Sequence, residues 1–259
     1  MSRFGCCCTS CATVLLEYQL DDYANNLLKY MSEEEIVSVY KMGLESIKII
    51  DEFIKVNGNN CNFRKVPSFM FTNSLFGVNA IKKEYDFRLK YGFKSEIFTK
   101  ENNPFPFDIQ AGIYNVDGGA EFNPYLFTKQ IIENATNQNM LFENTKTIEI
   151  IENENGFVAK TSFGNFIKSK KIVLATGFNF SLMKDKNLCE RLISYSIVTK
   201  PIENLSWKQN ALIQDDEDPY YYLRILPDNR LIFGGEDTKF KLNPISNKLA
   251  DKKCNKLLN

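Results

Sequence analysis

The sequence predicts an α/β fold with α+β character, in which helices and short strands alternate along 259 residues. Ser32-Glu33-Glu34-Glu35 is a capping box that opens a run of apolar residues at helical spacing. Further along, Asn155-Gly156 separates two strand-like segments, which is a strong hairpin signal. A chain of this length can bury a sizeable core in one large domain or two small ones.

Composition excludes several classes of protein. Lys plus Arg equals Asp plus Glu at 32 each, so no basic stripe indicates a nucleic-acid partner. No apolar run approaches the roughly 20 residues of a membrane span. Residues 1–8 lack the apolar region and small-residue cleavage site of a signal peptide. We therefore expect a cytoplasmic protein, and the abundance of Lys, Asn and Ile suggests a bacterial source.

The sequence contains no histidine. This removes the usual general base, the usual metal ligand and every Ser-His or Cys-His nucleophile arrangement. Among seven cysteines, Cys8 and Cys11 have the spacing of a zinc knuckle or a redox pair. A structural zinc site needs four ligands and no second pair follows, so we expect reduced thiols and no metal site.

Periodicity and turn signals define the elements of the first half. The first helix should run from Ser32 to about residue 56 and end at Gly58. A second helix over residues 78–91 should end at Gly92, and a third should start at Asn123-Pro124 and reach about residue 137. We expect extended segments at residues 63–72, 95–99, 112–115 and 120–122, the last two flanking a turn at residues 117–119.

The middle of the chain reads as a β-meander. Strands are expected at residues 147–152 and 157–161, followed by a turn at residues 163–165. A further strand over residues 171–175 should end in Ala175-Thr176-Gly177. A strand that stops at glycine lets a ligand approach the backbone closely, since no Cβ stands in the way. An ordinary exit from a strand into a loop is the alternative.

In its order of elements, this region resembles the middle of the D-amino-acid oxidase (DAO-type) superfamily of FAD-dependent oxidoreductases. That superfamily includes glycine oxidase, sarcosine oxidase and enzymes like D-amino-acid dehydrogenase. The resemblance implies FAD as the cofactor. It also implies that the Thr147 backbone touches the adenine side of FAD, and that Ala175, Thr176 and Gly177 close over the adenosine and pyrophosphate.

The N-terminal segment resembles the loop after the second strand of the DAO-type FAD domain. That loop usually reads Ser-Gly-Arg-Asn-Ser-Gly-Leu-Leu, whereas residues 9–16 read Thr-Ser-Cys-Ala-Thr-Val-Leu-Leu. The resemblance implies that Thr9, Ser10 and Thr13 bind the cofactor. Where the family usually has Asn and Gly, this chain has Ala12 and Val14, and a β-branched residue suits a glycine position poorly.

Judged by this resemblance, two parts of the family's cofactor domain are not found in the sequence: the N-terminal glycine-rich unit, and the flavin-contacting strand and helix expected after Gly234-Gly235. DAO-type enzymes begin with a strand, a Gly-x-Gly-x-x-Gly turn and a helix, a unit of about thirty residues. We therefore expect an incomplete FAD-binding domain of glutathione-reductase type, formed by residues 1–60 and 120–190. Residues 61–119 and 191–245 should form a substrate domain with a mixed or antiparallel sheet, and residues 246–259 a polar tail.

A strand over residues 191–202 and a hairpin over residues 218–237 complete the predicted substrate domain. Tyr220, Tyr222 and Arg224 alternate, so they should share one face of a strand. The resemblance places this hairpin beside the substrate pocket, where Arg and tyrosine hydroxyls can donate to a substrate carboxylate. A solvated sheet face is the alternative. Gly234-Gly235 matches the family's strand end.

The function implied by the resemblance is oxidation of the CH–NH bond of an amino acid or amine by hydride transfer to flavin, without a catalytic side chain. Three alternatives stay open. The chain is a truncated oxidoreductase, which would associate with a chain that supplies the missing FAD-domain parts; or an inactive remnant; or a non-catalytic binding module that keeps the substrate domain.

Overall fold

The computed structural model describes residues 8–136, 139–177, 190–240 and 247–258. Residues 1–7, which include Cys6 and Cys7, lie outside them. The helices are α1 (Cys8–Cys11), α2 (Ala24–Leu27), α3 (Glu33–Asn57), α4 (Val78–Lys90), α5 (Pro124–Ala135) and α6 (Asn247–Leu257). The strands are β1 (Leu16–Glu17), β2 (Arg64–Thr72), β3 (Ser95–Thr99), β4 (Ala111–Glu121), β5 (Thr147–Asn153), β6 (Gly156–Thr161), β7 (Phe166–Ser169), β8 (Leu192–Val198), β9 (Leu212–Asp215), β10 (Tyr222–Ile225) and β11 (Leu231–Lys239). Within these ranges, no helix has the length and hydropathy needed to span a bilayer.

The capping box at Ser32 starts α3 as predicted. The Glu35 amide donates to Ser32 Oγ at 3.3 Å, and the Ser32 amide donates to Glu35 Oε2 at 2.8 Å. The helix ends at Gly58, which has a φ of 86°, a positive value that glycine adopts readily. Its inner face packs on β4 and α5 through a row of apolar side chains that includes Ile47 and Ile54.

A large mixed sheet forms the centre of the fold. Its order is β1-β4-β2-β9-β10-β11-β8, and β3 also pairs with β4. β2 and β9 run parallel, and the remaining neighbours run antiparallel. The predicted α/β class with a mixed sheet is confirmed. The assignment of residues 1–60 and 120–190 to one domain, and of residues 61–119 and 191–245 to another, stays a prediction.

The turn expected at residues 117–119 is wrong, because β4 is one continuous strand. A bulge absorbs the extra residues: Val66 pairs with Gly119, whereas Ser68 pairs with Asn115. A Cβ on Gly118 would overlap the side chains of Asn115 and Ser68. The glycines here permit close packing inside a sheet, a use that their turn-like spacing does not reveal.

A second, three-stranded sheet has the order β5-β6-β7. The hairpin at Asn155-Gly156 and the turn at Gly164 are confirmed, with φ of 128° at Gly156 and 82° at Gly164. The strand expected over residues 171–175 is wrong, since these residues pair with no described strand. Without a neighbour to satisfy its amides and carbonyls, the segment stays irregular, and Val173 is 88% exposed.

The end of the chain is a helix and not the expected polar tail. Glu236 on β11 is 2% exposed, yet it carries a charge that α6 neutralises. Lys253 Nζ lies 2.9 Å from Glu236 Oε2, while Lys256 and the Tyr221 hydroxyl donate to Oε1. Leu257 is buried at the end of the helix. The lysines that make the segment look like a solvated tail therefore attach α6 to the sheet.

A buried ion pair joins four elements beneath the large sheet. Arg88 and Glu84 on α4 are 1% and 0% exposed, and Arg88 Nε donates to Glu84 Oε1 at 2.8 Å. Glu84 also accepts from the Ala24 amide at 2.6 Å and from the Tyr40 hydroxyl at 3.1 Å. Arg88 Nη1 donates to Asn115 Oδ1 on β4 at 2.6 Å. Both charges are thus paired and hydrogen-bonded, which buried charges require.

Replacing Arg88 by Met should lower the free energy of unfolding by about 3–5 kcal/mol, because Glu84 would keep a buried charge without its partner. Chemical denaturation with urea at pH 7 measures this. The double variant R88M/E84Q should lose less, since the neutral side chain that replaces Glu84 can still accept from the Ala24 amide. Lys55→Met removes an exposed pair with Asp51 and serves as the control, with little change expected. Equal losses in R88M and K55M would contradict the role of the pair.

Lowering the pH should weaken the attachment of α6. The lysines and Tyr221 hold the pKa of Glu236 down, to about 2 from 4.5. The folded state therefore binds this proton less tightly than the unfolded state, so the contribution is present above pH 4.5 and is lost as the pH falls toward 2. Urea midpoints at pH 7 and pH 3 should differ less for Glu236→Gln than for the wild type. The exposed Glu45→Gln provides the matched control.

Candidate functional site

The segment between α1 and β1 keeps an unusual backbone. Val14 has a φ of +52°, in the left-handed region that β-branched residues rarely adopt. The family loop that this segment resembles usually has glycine here, the residue that adopts a positive φ most readily. Val14 packs against the apolar cluster between α3 and α5, and this contact offsets part of the strain.

A cleft of about 360 Å³ opens between this segment and strands β9 and β10 with the residues just before β10, and we call it the acidic cleft. That volume suits a small organic ligand. The described residues that line it are Ala12, Thr13, Val14, Leu15, Glu17, Gln19, Asp21, Ser194, Gln214, Tyr220 and Tyr222. Two of these side chains are acidic and, among the described residues, no Lys or Arg lines the cleft. Each of these carboxyl groups therefore contributes a negative potential to the cleft when it is ionised.

Glu17 and Gln19 present free acceptor atoms at this cleft. The Gln19 amide nitrogen donates to Glu17 Oε2, which leaves Glu17 Oε1 and Gln19 Oε1 buried without a partner. Gln19 is only 7% exposed. Burial, and next the charge of Asp21, raise the pKa of Glu17 to about 8, although Arg88 acts in the opposite direction. Buried acceptors without donors are uncommon in native proteins and mark a place where a donor fits.

Tyr220 and Tyr222 form the opposite wall, with ring centroids 5.9 Å apart. Burial, followed by the charges of Asp21 and Asp237, raises the pKa of Tyr220 to about 12, so its hydroxyl keeps its proton. A hydrogen bond joins Tyr222 to Thr13. A Cβ on Gly234 would overlap the Tyr222 ring, which explains why glycine stands opposite it on β11.

A second cleft of about 400 Å³ lies on the other side of Ala12, and we call it the arginine cleft. Ser10, Ala12, Arg224 and Arg230 are among its lining residues. Arg224 is 4% exposed, so the alternative of a solvated sheet face is wrong for this residue. Its Nη1 donates to Glu121 at 2.9 Å, whereas its buried Nε has no partner.

The structure thus divides the predicted substrate residues between two neighbouring clefts. Tyr220 and Tyr222 line the acidic cleft with Thr13, and Arg224 lines the arginine cleft with Ser10. Thr9 belongs to α1, next to Ser10. The remaining candidates line neither cleft: Thr147 begins β5 in the small sheet, and Ala175, Thr176 and Gly177 follow β7. Their roles toward a cofactor stay predictions.

Sequence reasoning missed Glu17, Gln19 and Gln214. A local signal existed for the first two, because residues two apart in an extended segment face the same side. The sequence contains no such local signal for Gln214, because β9 is brought to the cleft only by its pairing with β10. Glu121 was missed as well, and it is the carboxylate that binds both Arg64 and Arg224.

The raised pKa of Glu17 should make stability fall as the pH rises. Its folded pKa of about 8 exceeds the ordinary 4.5, so the folded state holds a proton that the unfolded state releases. This contribution is complete below pH 4.5 and is lost as the pH rises through about 8. With no histidine in the chain, few other carboxyl or imidazole groups titrate above about pH 6.5. Urea midpoints at pH 6.5 and 8.5 should differ less for Glu17→Gln than for the wild type or Glu45→Gln.

Comparison with known proteins places this chain in a family. The model of the DAO family, described as FAD dependent oxidoreductase, matches residues 2–258. The probable oxidoreductase OrdL of Haemophilus influenzae is 22% identical over 245 residues, covering 87% of this chain and 54% of that protein. The chain therefore spans about half the length of this curated relative.

Two solved structures share the fold. L-proline dehydrogenase from P. horikoshii has a TM-score of 0.72 and 16% identity, covering 96% of this chain and 66% of that one. Glycine oxidase from Geobacillus kaustophilus has a TM-score of 0.70 and 18% identity, covering 93% of this chain and 64% of that one. The family model matches nearly the whole sequence and confirms the resemblance found in its motifs. The chain belongs to the DAO family of FAD dependent oxidoreductases.

Proposed function

We propose that this chain binds FAD and an amino-acid or amine substrate, as part of an oxidoreductase acting on the CH–NH bond. One observation carries the proposal. The segment expected to contact the cofactor, Ser10 to Thr13, separates two clefts, and the residues expected to contact substrate line those same clefts. Family membership indicates the class of reaction, and the two clefts offer space in which cofactor and substrate can bind.

The residues around Ser10 fit an acceptor-rich group such as FAD. The buried Nε of Arg224 needs an acceptor, and it lies in the cleft that Ser10 and Ala12 line. Flavin carbonyl and phosphate oxygens are acceptors of this kind. At Gly177, a Cβ would meet no protein atom within 4 Å, so the described chain leaves room for a ligand at that backbone. We propose that Thr9, Ser10, Thr13, Thr147, Ala175, Thr176 and Gly177 contact the cofactor.

FAD, when bound, accepts the hydride from the carbon next to the substrate nitrogen. The chain's own side chains bind and orient the substrate. The Tyr220 hydroxyl, which keeps its proton, and the Tyr222 hydroxyl line the acidic cleft. Arg224 binds Glu121 through Nη1 and the Phe122 carbonyl through Nη2, which leaves its buried Nε without a partner. None of these roles requires a histidine, in agreement with the composition.

We further propose that other parts of the flavin site come from residues outside these 259, on the same polypeptide or on a partner chain. The 54–66% coverage of the relatives described above supports this. The small sheet also exposes Ile148, Ile151 and Phe166, an apolar surface on which such residues could pack. A bacterial, cytoplasmic protein is our proposal for source and location, supported by free thiols at the described Cys11, Cys61 and Cys254.

Titration of the purified chain with FAD tests the proposal. We expect saturable binding at micromolar FAD, seen as a change in flavin fluorescence and in visible absorbance. Thr13→Val should weaken binding about tenfold, because one hydrogen bond to an ionised or strongly polar group contributes about 1.5 kcal/mol. The control Thr99→Val alters β3, which lines neither cleft, and should bind FAD as the wild type does.

Absence of binding up to millimolar FAD, by a chain shown to be folded by circular dichroism, would contradict the proposal. The alternatives of an inactive remnant or a non-catalytic binding module would then describe this polypeptide. Saturable binding would lead to a screen of amino acids and amines for flavin reduction under anaerobic conditions.

A further inference from the structure

The groups that line the acidic cleft favour one chemical class of ligand, which family membership does not specify. Two of its buried oxygens, Glu17 Oε1 and Gln19 Oε1, have no hydrogen-bond partner, and Gln19 is 7% exposed. Since the Gln19 amide nitrogen donates to Glu17 Oε2, the oxygen of the same amide is left open to a donor. An anion would place more acceptors against these atoms, whereas a group with several N–H donors would satisfy them.

The wall opposite these acceptors also favours a cation. Tyr220 and Tyr222 are half-buried rings that face the cleft, and an aromatic face attracts an ammonium group. Asp21 lines the cleft, and the charge of Asp237 reaches the two tyrosines. The Asp21 carboxyl group and the two rings thus line the same space as the unpartnered oxygens, and the Asp237 charge acts on the rings.

The neighbouring arginines do not cancel this potential. Arg88 lies behind Glu17, but it is 1% exposed, and its charge is paired with Glu84 and bound to Asn115. Arg224 belongs to the arginine cleft, where Glu121 holds it. Both guanidinium groups are therefore kept out of the acidic cleft by their own buried partners.

We propose that the acidic cleft binds a primary ammonium group, held by Glu17 Oε1 and Gln19 Oε1 and covered by Tyr220 and Tyr222. The bound ammonium donates one hydrogen bond to each oxygen and lies against the rings. The ligand's amine end therefore enters on the Glu17 side, and any carboxylate it carries points toward Arg224. That this ligand is a substrate rests on the proposed function, but its binding does not.

Binding of a cation should be linked to the ionisation of Glu17. Asp21 on the adjoining segment, Arg88 on α4 and Tyr220 from the opposite wall are the titratable or charged groups that act on it. The free carboxyl holds its proton near neutral pH, and an ammonium stabilises the ionised form. Binding near pH 7 should therefore release a proton into the buffer, which calorimetry in two buffers of different ionisation enthalpy detects.

Isothermal titration calorimetry of the flavin-free full chain tests the site with three probes of matched shape: benzylamine, benzyl alcohol and benzoate. We expect saturable binding of benzylamine, at least tenfold weaker binding of benzyl alcohol and none of benzoate. Glu17→Gln should weaken benzylamine binding at least tenfold and abolish the proton release. Asp228→Asn, which removes a charge from the arginine cleft, should leave benzylamine binding unchanged.

Equal affinities for benzylamine and benzyl alcohol, preference for benzoate, or an unchanged affinity in Glu17→Gln would overturn the assignment. So would a lack of benzylamine binding by the folded chain. Because no flavin is present in this experiment, its failure is distinct from a failure of the FAD titration. A chain that binds FAD but not benzylamine would keep the proposed function and lose the ammonium site.

Discussion

The buried pair of Arg88 and Glu84 is the constraint on which the first half of the fold depends. Its atoms bind the Ala24 amide, the Tyr40 hydroxyl and the Asn115 side chain, and these groups lie on α2, α3 and β4. Removing two charges from water is costly unless each finds partners, so only an arrangement that brings all these elements together satisfies the pair.

The same network positions the candidate site. The Tyr18 hydroxyl donates to Asn115 Oδ1 at 3.3 Å, and its ring lies 5.5 Å from the Arg88 guanidinium carbon. Because side chains alternate along an extended segment, fixing Tyr18 inward directs Glu17 and Gln19 to the opposite side, where the acidic cleft lies. The unpartnered oxygens of the cleft and the paired charges of the core thus lie on opposite sides of the same extended segment.

Charge is separated across Ala12. On one side, Glu17, Gln19 and two tyrosines form a site for donors; on the other, the buried Nε of Arg224 lacks an acceptor. The two clefts thus differ in the hydrogen-bonding groups that they leave without a partner. At 16–22% identity to the relative and the two structures compared, the structural likeness establishes the fold and leaves the chemistry of these clefts to be read from this chain's own residues.

The sequence by itself determined the features that depend on neighbours along the chain. The capping box at Ser32, the hairpin at Gly156 and the order of elements that resembles the DAO family are local patterns, and each was confirmed. The tertiary structure alone decided whether β4 bends or bulges, whether residues 171–175 find a strand to pair with, and whether Lys253 faces water or Glu236. It also decided that Arg224 is buried against Glu121, more than a hundred residues away in sequence. The physical reason is that pairing, burial and charge compensation depend on which distant groups meet in space.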